Sequence, residues 1–358
     1  MRVNAYVIVF GLVGIVIIAA AVSSLLGSQG PSIATQDVSK LPNLGRAPNF
    51  QGVEGWINSG PLNISQLAGE VVLVDFWTYS CINCIRTIPY LNALYSRYGG
   101  DGLVVVGVHT PEFQFEKNYT NVLAAVRSFG INYPVALDSN AVTWNAYGNH
   151  YWPADYLVDK NGEVRHVHLG EGDYNGTESV IRGLLLDAGY NVGPGTVVGS
   201  VNGTTVNFLK IRTPELYLGY DTARSPIGNS QGFSPGHIVD YLISGSLQNN
   251  TVYFSGMWFN ANDSMVAAGS GSKLYLIYDA KVVNIVAHGN FSMITVNLDG
   301  NVPPQEYFGG DLASKDGLAS ANIGMARLYY ILNAPSYGWH ELEISASPGF
   351  ALYTFTFG

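Results

Sequence analysis

The chain of 358 residues holds two cysteines, and both lie in the stretch "DFWTYSCINCIRTIPY", Asp75 to Tyr90. Spaced as Cys81-Ile82-Asn83-Cys84, the two thiols can close a disulfide within one helical turn or open to a dithiol, which is the chemistry of thiol–disulfide exchange. The apolar run "EVVLVDFW" (70–77) precedes them and reads as a strand buried on both faces. After them, Ile82, Ile85, Ile88, Leu91, Leu94 and Tyr95 recur at helical spacing. Cys81 therefore falls at a helix N-terminus, where unpaired backbone N–H groups and the positive end of the dipole favour a thiolate. The expectation is an exposed, nucleophilic Cys81 and a buried Cys84.

Other uses of two thiols fit less well. A disulfide staple across so small a loop gains only about 2 kcal/mol from chain entropy, and a staple serves better between distant elements. Zinc needs two further ligands. His166 and His168 share one face of a strand, but nothing in the sequence sets them beside Cys81. Covalent haem attachment needs a His directly after the second cysteine, where Ile85 stands. No metal and no cofactor are expected beyond the redox-active Cys81–Cys84 couple.

The elements that position the dithiol read as an α/β unit over residues 47–192. "GLVVVGVHT" (102–110) is a second strand and "NYTNVLAAVRSFGI" a second helix. "PADYLVDKNGEVRHVHLG" is a hairpin whose Asn161–Gly162 tolerates positive φ, and "ESVIRGLLLDAGY" is a closing helix. Strands alternating with helices, then an antiparallel pair, imply a mixed sheet flanked by helices. From 193 to 358 the helical signals stop. "KLYLIYD", "VVNIVAHG", "MITVNLDG", "ARLYYIL", "HELEISAS" and "ALYTFTFG" read as short strands of an all-β sandwich or jelly roll. Its aromatics, among them Tyr217, Tyr220, Tyr253, Trp258, Phe259, Tyr329, Tyr330 and Trp339, should be mostly core. The rest are expected to pack against the dithiol domain ahead of binding glycans. His237, His288 and His340 show no ligand-type spacing.

The N-terminus sets the compartment. Ala5 to Leu26 is uncharged over 22 residues, about 33 Å of helix, enough to span a bilayer. Arg2 precedes it and no Lys or Arg follows before Lys40, which places the bulk of the chain outside the cytoplasm. "AAAVSS" offers a cleavage site for a signal peptide, but the span is long for one, which favours a retained anchor. Residues 27–46, rich in Gly, Pro and Ser, read as a flexible tether. Seven N-x-S/T sequons, at Asn63, Asn118, Asn175, Asn202, Asn249, Asn262 and Asn290, are compatible with a glycosylated surface protein. Charged residues make up 12% and the net charge is −9, so no basic footprint for nucleic acid exists.

"VVLVDFWTYSCINCIRTIP" resembles the active-site segment of the thioredoxin superfamily, in particular its TlpA/ResA-type and DipZ-type membrane-anchored oxidoreductases. The resemblance includes Trp77 on the strand into the site, Pro89 five residues after Cys84, and "YWPADYLVD", similar to the strand that the family opens with a cis-proline. It implies a cis Trp152–Pro153 bond, a substrate-binding role for Trp77, Trp152 and Pro153, and for Glu112 in "VHTPEF" the place of an acidic residue near the dithiol. Asp75, a carboxylate in an apolar strand, should be desolvated and its pKa raised. With the resemblance, Asp75 is expected to exchange a proton with Cys84, against the alternative of a core Asp satisfied by backbone N–H groups. The dipeptide Ile82–Asn83 departs from the Gly-Pro of thioredoxin and leaves the direction of electron flow open.

"TPELYLGY" (213–220), "SGMW" and "YTFTFG" resemble the C-terminal module of DipZ-type proteins, similar to carbohydrate-binding modules. The multi-span electron-carrying domain of those proteins has no counterpart in these residues. The implied partners are protein disulfides and dithiols, a separate membrane electron-transfer protein if the chain acts as a reductase, and glycans through the β module. Cytochrome maturation is one setting that the resemblance implies. The rival reading is a surface binding protein whose β module carries the function.

Overall fold

The computed structural model describes residues 35–197 and 206–358. The expected anchor at 5–26 lies outside them, as do residues 27–34 of the tether. Among the described residues no helix is long and apolar enough to cross a membrane. Residues 36–46, expected to be tether, are bonded to the first domain. Gln36 N donates to Ser179 O at 3.2 Å and Leu44 N to Val164 O at 2.9 Å, and the Arg165 guanidinium donates to Val38 O and Leu41 O.

The first domain runs β1 (Gly55–Ile57), β2 (Val71–Trp77), α1 (Ile82–Tyr98), β3 (Leu103–His109), α2 (Tyr119–Ser128), β4 (Val135–Leu137), α3 (Val142–Ala146), β5 (Ala154–Val158), β6 (Val164–Leu169) and α4 (Tyr174–Asp187). The sheet order is β1-β4-β3-β2-β5-β6. β2, β3 and β4 run parallel, while β5 pairs antiparallel with both β2 and β6. β2 is central and all seven of its residues are buried, which explains its unbroken apolar run. Val71, Leu73 and Trp77 face α1, α2 and α4 across a core with Ile88, Leu91, Val126 and Leu184. Val72, Val74 and Phe76 face the opposite layer with Ile64 and Trp144. The β5–β6 hairpin turns at Gly162, φ +80°; Asn161 keeps a negative φ, so the glycine alone supplies the left-handed step.

The second domain is one ten-stranded sheet. Its strands are β7 (Leu216–Tyr217), β8 (Ile238–Tyr241), β9 (Val252–Asn260), β10 (Met265–Ala267), β11 (Lys273–His288), β12 (Ser292–Leu298), β13 (Ala313–Lys315), β14 (Leu318–Ile323), β15 (Arg327–Ala346) and β16 (Ala351–Phe357). Two expectations are corrected. "KLYLIYD" and "VVNIVAHG" form the single strand β11, and "ARLYYIL" and "HELEISAS" the single strand β15. β11 pairs with β9 through residues 273–276 and with β16 through 283–288, so both halves of the module share strands rather than forming separate sheets. Register shifts near Ala280–Asn284 account for the continuity. Leu274, Leu276, Tyr278 and Ala280 face the core, and beyond the shift Val283, Ile285 and Ala287 take over, so the bulge keeps one face inward as the strand changes partners.

Candidate active site

Cys81 is the N-cap of α1 and Cys84 lies one turn in. The Cys81 sulfur accepts the Cys84 backbone N–H at 3.3 Å, one of the donors that a helix start leaves free. Both thiols are free; Cys81 is half-buried and Cys84 is buried. Burial, then the Cys81 sulfur beside it, push the Cys84 thiol well up, so it holds its proton at neutral pH.

Asp75 lies under Cys84, 1% exposed, on the sheet face that carries α1. Neither of its oxygens has a donor, so the alternative of a core Asp satisfied by backbone N–H groups does not hold. Burial, then the neighbouring Asp155, raise its pKa well above the carboxylate range. Sequence reading missed Asp155, because "PADYLVD" reads as any buried strand. Only the register, Asp75 opposite Asp155, brings the two carboxyls together.

The loop before Cys81 hangs on Glu116, also missed. Its Oε1 accepts from the Ser80 hydroxyl at 2.6 Å and from Ser80 N at 3.3 Å. Its Oε2 accepts from the backbone N–H groups of Glu112 at 2.7 Å and Phe113 at 2.9 Å. His109 lies behind the loop, 3.3 Å from the Thr78 hydroxyl, and burial lowers it to about 3, so it is neutral.

Trp77 is a correction. Expected at the substrate surface, it is 1% exposed, because it ends a strand covered on both faces and turns its ring under the helices. Its indole crosses His109 edge-on at 5.1 Å and leans over Gly107, where a Cβ would meet Nε1 at 2.9 Å. The Trp152 indole donates to Thr110 O at 3.1 Å, packs tilted by 36° against Trp144 at 4.3 Å and lines the same cavity as Cys81. The Trp152–Pro153 bond is cis.

That cavity, of about 50 Å³, lies between the domains: Ser80, Cys81, Asn83, Glu112 and Trp152 face Glu215, Tyr217, Val286, Thr354 and Thr356. Glu112 is engaged by the β module, since Tyr217 donates its hydroxyl to Oε1 at 2.6 Å. Burial pushes Glu112 up to about 8. Ile82, inside the dithiol, packs with Phe113 against Val286 and Leu328, and Tyr353 meets Phe113 at 5.3 Å and Phe115 at 4.8 Å. Of the eight named aromatics, expected to be mostly core, Tyr253, Trp258 and Tyr329 alone are buried; Tyr217 and Phe259 are half-buried, and Tyr220, Tyr330 and Trp339 are exposed, because every second position of the sheet faces away from the core.

A dithiol at a helix start over a buried carboxylate, beside a cis-proline strand, defines a thioredoxin-like redox centre. The Redoxin family profile matches residues 45–185, and that of the thioredoxin-like C-terminal domain matches 213–358. The thiol-disulfide oxidoreductase YkuV of Bacillus subtilis is 30% identical over 141 residues, 39% of this chain and 94% of YkuV. The thiol-disulfide oxidoreductase ResA of Bacillus thuringiensis is 29% identical over 136 residues, 38% of this chain and 74% of ResA. Protein DipZ of Mycobacterium tuberculosis is 36% identical over 340 residues, 91% of this chain and 45% of DipZ, so the chain spans less than half the length of that relative. The chain belongs to the thiol–disulfide oxidoreductases of the thioredoxin superfamily, with the C-terminal β domain that DipZ shares.

Proposed function

We propose that the chain is a membrane-anchored, extracytoplasmic oxidoreductase that exchanges disulfides of secreted or membrane proteins through Cys81 and Cys84. The Cys81 thiolate attacks one sulfur of a substrate disulfide, and the substrate's other sulfur leaves as thiolate. Cys84 gives its proton to Asp75 and attacks the Cys81 sulfur, so the second substrate sulfur leaves. Two electrons pass to the substrate and Cys81–Cys84 closes as a disulfide; run backwards, the same steps form a disulfide. The observation that carries this is the stack of half-buried Cys81, buried Cys84 and unpaired Asp75.

Trp152 and Pro153 would hold the substrate backbone beside Cys81, and Glu112 and Tyr217 would form the facing wall. If the chain works as a reductase, a separate membrane electron-transfer protein supplies its electrons. The uncharged segment 5–26, with Arg2 before it, supports the anchor and its orientation. In that compartment the exposed sequon asparagines Asn118, Asn175, Asn249, Asn262 and Asn290 would be open to glycosylation. The β module serves chiefly as the second wall of the cleft; its exposed Tyr330 and Trp339 leave a glycan contact as its second role.

The full chain in detergent should accelerate insulin reduction by dithiothreitol, and Cys81→Ser should abolish the acceleration. Equal rates for both would overturn the reading in favour of a binding protein.

A further inference from the structure

One row of titratable side chains crosses the first sheet. Asp75 on β2 stands opposite Asp155 on β5, and Asp155 stands opposite His168 on β6. Residues in register on neighbouring strands share a face, with Cβ atoms about 4.5–5.5 Å apart. The row therefore starts in the central strand beneath Cys84 and ends on β6, an edge strand of the sheet. Asp75 and Asp155 are 1% and 5% exposed, and His168 is half-buried. Both Asp75 oxygens, Asp155 Oδ1 and His168 Nε2 are shielded from solvent without a hydrogen-bond partner. Buried polar atoms are nearly always paired, so such a concentration along one row needs a cause.

A shared proton is that cause. Two carboxylates face each other as acceptors only and cannot bond. With one proton, one becomes a donor to the other, and the pair holds a single charge instead of two. We propose that Asp155 is a second, positioning carboxyl, which shares a proton with Asp75, and that His168 carries the proton released by Cys84 onward to the sheet edge. This rests on the reading that Asp75 accepts that proton. As Cys84 attacks the Cys81 sulfur, its proton moves to the singly protonated pair, which becomes neutral. One proton then leaves through Asp155 to His168, whose imidazole can accept at Nε2 and release at Nδ1. The titratable groups around the pair are Cys84 and Tyr90 from α1, Tyr133 before β4, Tyr174 at the start of α4, and His168 itself, which has His166 beside it on the same face of β6. The tyrosines are all raised and stay neutral, and no Lys or Arg is among these neighbours to hold the pair as a dianion. Burial raises both carboxyls, consistent with a retained proton.

The test is the pH profile of insulin reduction by the full chain, with urea midpoints to confirm that each variant is folded. Asp75→Asn should lower the rate about 100-fold or more, the range of a lost general base. Asp155→Asn should replace two coupled ionisations by one and move the acidic limb by about one pH unit or more, as expected when a like charge is removed. Asp155→Glu should restore the two ionisations. His168→Gln should slow turnover, and added imidazole should recover it. An Asp155→Asn profile that superimposes on wild type while Asp75→Asn departs from it would overturn the shared proton and leave the Asp75 role standing. If Asp75→Asn also superimposes, the role of Asp75 itself falls. An unchanged rate for His168→Gln would remove His168 from the route.

Discussion

Cys81 and Cys84 are separated by one turn of helix, yet their surroundings divide the chemistry between them. Cys81 sits at the helix start, half-buried and beside the interdomain cavity. Cys84 is held as a thiol by burial, by the neighbouring sulfur and, further off, by Asp75. Limiting iodoacetamide at pH 7 should therefore label Cys81 at least about 10-fold faster than Cys84, since the thiolate is the nucleophile. Peptide mapping reads the ratio, and equal or reversed labelling would overturn the division of roles. At this scale the sequence was informative where chemistry is local. Two cysteines after a strand and before a helix, and one acid in an apolar run, locate Cys81, Cys84 and Asp75. Asp155 and Glu116 stayed hidden, because their importance comes from strand register and from a loop 36 residues away in the chain. Trp77 was misplaced because β2 is covered on both faces, which buries its last residue whichever way it points.

At the scale of elements, two loops at the ends of parallel strands fix the dithiol. One joins β2 to α1 and carries Thr78, Tyr79 and Ser80; the other follows β3 and carries residues 110–117. Glu116 ties them with four bonds from donors that would otherwise be buried unpaired. Each orphaned donor costs about 1–3 kcal/mol. Glu116→Ala should thus destabilise the chain by about 3 kcal/mol or more, read as a lower urea midpoint, while Glu116→Gln, which keeps one acceptor oxygen, should lose less. A loss below about 1 kcal/mol for Glu116→Ala would show that the loops stand without it. Element types were legible from periodicity: the two β-branched strands, α1, α2, α4 and the β5–β6 hairpin all follow the expected patterns. The short β1, β4 and α3 give no such signal, having three, three and five residues. In the β module, Pro335 and Gly338 read as a turn, but they lie within β15, whose bulged register absorbs them.

For the whole molecule, the consequential feature is that the β module closes over the dithiol, something no periodicity in either half announces. Phe113, Tyr217 and Tyr353 make an apolar seam, and the Glu112–Tyr217 bond lies within it beside Glu215, Glu116 and Arg224. Burial, which outweighs the bond from Tyr217, raises Glu112 from 4.5 to about 8. The folded chain therefore binds more protons than the unfolded chain between these values, and over that window stability falls as pH rises. The contribution of Glu112 is fully present below about 4.5 and is lost as pH climbs through about 8. Glu112→Gln keeps an acceptor for the Tyr217 hydroxyl but cannot ionise, so it should remove this part of the pH dependence. Between pH 6 and 9 the wild-type melting temperature should fall more steeply than that of Glu112→Gln, with the two converging at the acidic end. Parallel curves would mean that Glu112 ionises in place without cost. A wild-type curve that rises towards pH 9 relative to Glu112→Gln would mean that Arg224, 4.0 Å from Oε1, holds the charged form instead. The steeper wild-type decline would place part of the alkaline loss of stability in the seam over Cys81, after the share that Asp155, raised to about 7, loses at lower pH.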